Sequence, residues 1–71
     1  MAAPREVIAH SQFDDETREM LLGVFDDIAR RCSLNETTAI TVVDRILAIA
    51  ERGERDPRRI GEQASAGLPE A

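Results

Sequence analysis

Between residues 14 and 32, Thr17, Leu21, Val24 or Phe25, Ile28 and Cys32 follow one another in steps of three and four. Side chains at that spacing share one face of a helix. Asp14-Asp15-Glu16 precede the run and Arg30-Arg31 close it. Carboxylates thus sit at the positive end of the helix dipole and guanidinium groups at the negative end. The pattern predicts a helix over residues 14–31. Residues 1–12 carry no such period and predict a terminal arm, with 6–10 able to form a short extended segment.

Residues 32–35 break the pattern. Ser33 with Glu36 reads as a capping box, and Asn35 is an alternative N-cap. A second helix then runs over 35–52 and stops at Gly53, the usual residue of a left-handed C-terminal cap. Its apolar positions are Ala39, Ile40, Val42, Val43, Ile46, Leu47, Ile49 and Ala50. A polar line through Thr37, Thr41, Asp44, Ala48 and Glu51 favours helix over strand. The apolar positions fall on three lines: Ala39, Val43, Ile46 and Ala50; Ile40 and Leu47; Val42 and Ile49. Together they exceed the stripe of roughly 100° that a one-sided helix buries. Asp56-Pro57 then starts a short third helix over 57–66, whose thin line is Ile60 and Ala64 with Leu68 beyond. The first helix can cover one line and the third helix part of another. The remaining one, Val42 and Ile49, asks for a second copy of the chain across a two-fold axis. The expectation is an all-α fold: two long antiparallel helices plus a short C-terminal helix, paired as a dimeric bundle. It divides into an arm (1–12), one helical domain (13–68) and a tail (69–71). The expected core is Met20 or Leu21, Val24, Phe25, Ile28, Ile40, Val43, Ile46, Leu47 and Ala50. Val42, Ile49 and Leu47 are the candidates for the dimer interface.

Residues 46–60 run Ile46-Leu47-Ala48-Ile49-Ala50-Glu51-Arg52-Gly53-Glu54-Arg55-Asp56-Pro57-Arg58-Arg59-Ile60. This segment resembles the close of small uncharacterised helical proteins of proteobacteria, where an aliphatic helix ends in Gly-Glu-Arg-Asp-Pro and a short helix follows. The resemblance is confined to that segment. It implies a helical fold and a bacterial source, and it implies no activity.

Composition narrows the classes. With 71 residues, two Phe and neither Trp nor Tyr, the core must be aliphatic. A core so small usually leans on a disulfide, a metal or a second copy. The one cysteine, Cys32, closes no internal disulfide and points to a reducing compartment. One His and one Cys make no zinc site of the usual Cys/His kind. The longest wholly apolar run, 46–50, is far short of the roughly 18–20 residues that span a bilayer. No apolar segment follows the N-terminal residues as in a secretory signal. A cytoplasmic protein without membrane contact is the expectation. Fourteen acidic residues against nine basic ones leave a charge of −5. That balance weighs against a binder of nucleic-acid phosphates. All nine basic residues are Arg, as a GC-rich genome would choose.

Candidate chemistry is sparse. Asp14-Asp15, Asp26-Asp27 and Glu16 with Glu19 read as a solvated acidic face. No Glu-x-x-His, the inward metal motif of helical bundles, occurs. His10 lacks an orienting partner for general-base work, and Cys32 continues the apolar line of the first helix. With no Gly-rich phosphate loop and no Ser/His/Asp set, neither an enzyme nor a cofactor is expected.

Two nucleic-acid readings stand as the alternative. In a helix-turn-helix, Arg55, Arg58 and Arg59 would be the readers, but 51–62 holds four Arg against four acidic residues. In a ribbon-helix-helix dimer the strand would be 7–11. The favoured expectation is a non-enzymatic helical interaction module: a homodimeric regulator, adaptor or accessory subunit with an unidentified protein partner. Its candidate contact is the corner displaying Arg52, Arg55, Arg58 and Arg59, since arginine forks bind anions directionally. The competing view of that corner is solvated ion pairs with Glu51, Glu54 and Glu62. The acidic face of Asp15, Glu19 and Asp26 is the next candidate.

Overall fold

Three of the four helices begin on a side chain that accepts a hydrogen bond from the first turn. The computed structural model describes residues 3–68, and within them the helices are α1 (Pro4–Ala9), α2 (Asp15–Arg31), α3 (Glu36–Glu51) and α4 (Pro57–Ala64). The 69–71 tail lies outside the described residues. Asp14 accepts from the Thr17 N–H at 3.0 Å, Asn35 from Thr38 at 2.8 Å and Asp56 from Arg58 at 2.9 Å. Each satisfies one of the donors that a helix start leaves unpaired. Of the two caps that the 32–35 break offers, Asn35 is the one used; Ser33 stands outside the helix. Gly53 follows α3 at φ +105, and its N–H bonds the Ala50 carbonyl at 3.0 Å. A Cβ is penalised in that left-handed conformation.

The N-terminal segment is a correction to the expected arm. Pro4 at the first turn presets the backbone of α1, and the Ala3 carbonyl accepts the Glu6 N–H at 2.9 Å. The Ser11 hydroxyl closes the far end on the Ile8 carbonyl at 2.7 Å. With six residues and one buried side chain, Ile8, α1 is too short to show a period. Pro4 was the only readable signal. The α1 helix also occupies 7–9, where the ribbon strand would have started, and the described residues contain no strand.

The helices α2 and α3 touch each other, and each touches both α1 and α4, whereas α1 and α4 do not touch. The two short helices therefore flank the long pair. One apolar cluster joins all four: Ile8 from α1; Leu21, Val24, Phe25 and Ile28 from α2; six residues of α3; Ile60 and Ala64 from α4. The radius of gyration, 11.0 Å, matches the roughly 11 Å expected of one compact domain of this length.

The burial of α3 changes the expected assignment of its three lines. Ala39, Val42, Val43, Ile46, Ile49 and Ala50 are buried, an arc of about 120° at 100° per residue. Val42 and Ile49, the expected dimer contacts, are 0% and 7% exposed inside a single chain. The unforeseen α1 and the α4 line supply cover that seemed to require a second copy. Conversely Ile40, expected in the core, is 40% exposed, and Leu47 is half-buried beside the cluster. The uncovered line is Ile40 and Leu47. At the α2 start, Leu21 rather than Met20 is the fully buried residue.

Candidate functional site

Four guanidinium groups surround the α3–α4 corner, but they do not converge. Arg55 turns back toward the body: its guanidinium lies 5.1 Å from the centre of the Phe13 ring. It donates to the Ala50 carbonyl and, at 2.9 Å, to the Glu54 carbonyl. The Ala50 bond reaches a carbonyl at the C-terminal end of α3, and the Phe13 contact fastens the corner to the α1–α2 loop. Arg59 approaches Glu54 at 4.0 Å, and Arg58 faces Glu62 at 3.5 Å along α4. Arg52 is exposed and has no ion pair among the described residues; its backbone N–H caps α3. Arg55 is therefore a clasp, while Arg58 and Arg59 sit in exposed pairs.

The clasp also colours the start of α2. Hydrogen bonding to Thr17, through its side chain and its backbone N–H, holds the Asp14 carboxyl below the usual carboxylate range. The nearby Arg55 and Arg18 guanidinium groups add to the effect.

Arg58 also borders a groove of about 640 Å³ between α2 and α4, floored by Met20, Gly23 and Val24. Its charged walls are internally matched, Arg31 with Asp27 at 3.0 Å and Arg58 with Glu62. The acidic face of α2 is similarly divided: Asp15 pairs with Arg18 and Asp26 with Arg5, leaving Glu19 exposed. His10 is exposed and Cys32 is a buried free thiol. Among the described residues no three His, Cys, Asp or Glu side chains gather as a metal-ligand set. No helix there is long and apolar enough to cross a membrane.

The α1–α3 side is different in kind. Among the described residues, Val7 at 37% and Ile40 at 40% are the exposed large hydrophobics. Val7 shares a groove of about 540 Å³ with Phe13 and Leu47, with His10, Glu51 and Arg55 at its edge. Ile40 lies seven residues before Leu47, two turns along the same face of α3. That face reads Glu36, Ile40, Asp44, Leu47, Glu51, in steps of four, four, three and four. Sequence reasoning placed Ile40 in the core and overlooked Val7. The alternation of acid and aliphatic on one helical line was the signal that could have found this face. Compared with protein-family models, curated proteins and solved structures, the chain shows no match.

Proposed function

We propose that the chain is a non-enzymatic helical protein-interaction module and that the α1–α3 face is its contact surface. The observation that carries this reading is that the incompletely covered apolar side chains Val7, Ile40 and Leu47 fall on one side of the molecule. Val7 and Leu47 line one groove, and Ile40 extends that line along α3. Singly exposed hydrophobics need no explanation, but several on one helix face beside a groove are the usual form of a docking surface. In this reading α2 and α3 are the antiparallel frame, and the Arg55 clasp keeps the groove edge in place. The ion pairs of Arg58 and Arg59 with Glu62 and Glu54 leave α4 without the unmatched positive charge that a nucleic-acid reader uses.

A photo-crosslinking side chain placed at position 40 tests the reading in the native cell, with position 63 on α4 as control. The expected result is a discrete protein adduct from position 40 that position 63 does not give. Equal adduct patterns at the two positions, or retention on duplex DNA that salt removes, would overturn it.

A further inference from the structure

We infer that the partner of the α1–α3 face is a basic amphipathic helix, its aliphatic side chains seated on Val7, Ile40 and Leu47 and its cations on Glu36, Asp44 and Glu51. The inference rests on the interaction reading and adds the chemistry of the occupant. The three carboxylates alternate with Ile40 and Leu47 along one helical line, and none has a basic partner within ion-pair distance among the described residues. By contrast, the acids of α2 and α4 that border the other groove, Asp27 and Glu62, are both paired.

The one basic residue of α3, Arg45, is turned to the other side, where it donates to the Ala64 and Ala66 carbonyls at 3.3 and 3.1 Å. Glu51 stands in the last turn of α3, which contains no basic residue. Negative charge there opposes the helix dipole, so the position of Glu51 does not serve the stability of its own helix.

Charge selects among occupants. A second copy paired along this line would bring Asp44, midway between Glu36 and Glu51, against the same residue of its twin. That is a like-charge contact between chains already at −5 each. Nucleic acid and anionic lipid meet the same repulsion. A cationic amphipathic helix meets attraction at each carboxylate and covers the apolar residues, while the guanidinium at the groove edge, Arg55, is folded back onto Phe13 and the Ala50 carbonyl. From Glu36 to Glu51 the line rises roughly 22 Å at 1.5 Å per residue. The fitting segment therefore has about four helical turns, with cations roughly 11 Å apart.

The test is an NMR titration of the full labelled chain with two synthetic helical peptides. They share one leucine line, flanked by arginine in one and by glutamate in the other. The expected result is that the Leu/Arg peptide shifts Val7, Ile40 and Leu47 and binds about tenfold more tightly than the Leu/Glu peptide, with the gap closing at about 0.5 M salt. The double variant Asp44→Asn, Glu51→Gln removes two of the three carboxylate charges at exposed positions without touching the core. It should bring the two affinities within about threefold while the shifts stay at Ile40. Equal binding of both peptides at this face would overturn the basic partner and leave the interaction reading intact. Shifts confined to the α2–α4 groove would overturn the inference. So would dilution-dependent shifts of Ile40 and Leu47 without peptide, which would identify a second copy.

Discussion

Arg55 has a different kind of role from its neighbours at the corner, and a single substitution separates them. Its guanidinium spans the Phe13 ring and two backbone carbonyls, whereas Arg58 makes one exposed pair. Arg55→Ala should lower stability by about 1 kcal/mol, the joint scale of a cation–π contact and exposed hydrogen bonds. Arg58→Ala should stay within about 0.5 kcal/mol. Urea titration of both variants reads this directly, and equal effects would remove the distinction. The sequence offered all four arginines of the corner as equivalent, because spacing gives the position of a guanidinium and not the direction in which a long side chain folds back. Phe13 gave no clue either, since it lies in a loop outside any periodic run.

Helix boundaries were legible to within a residue or two where local chemistry decides them. Asp14, Asn35, Asp56-Pro57 and Gly53 each satisfy or end the backbone at their own positions. The α1 helix was not legible, because its formation rests on Pro4 and on one distant apolar contact through Ile8. The Asp14 cap makes a pH-dependent contribution whose sign is set. Its folded pKa lies below the unfolded value, so the contribution is complete above the unfolded pKa and is lost as pH falls through about 4 and below. Asp14→Asn keeps an accepting oxygen for the first turn and cannot titrate. Chemical denaturation at a series of pH values should show a shallower loss of stability on the acid side for this variant. An unchanged acid slope would mean that the cap adds nothing to it.

For the molecule as a whole, the decisive difference from the sequence reading is which apolar line of α3 remains outside. Amphipathic geometry counted three lines correctly, but which one is covered depends on where α1 and α4 dock, and no local pattern encodes that. The observed arrangement sets the outcome of two substitutions. Val42→Asp places a charge at a fully buried site and should unfold the chain rather than dissociate a dimer, since an unpaired buried charge is severely destabilising. Ile40→Asp, on the exposed line, should leave the melting temperature within a few degrees. Circular dichroism melts of both variants check this, and a folded Val42→Asp chain of lower oligomeric order would restore the two-fold interface.

The Arg55–Phe13 contact also bears on the order in which the chain assembles. It joins two loops whose residues are roughly forty positions apart, so closing it early would cost more chain entropy than pairing neighbouring helices. The aliphatic contacts of α2 with α3 can form across a four-residue connection, while the clasp needs both loops already in place. A contact of this kind is expected to shut after the barrier has been crossed. Its removal should therefore quicken unfolding and leave the folding rate nearly unchanged, which would make a side chain outside the core one determinant of how long the folded molecule lasts.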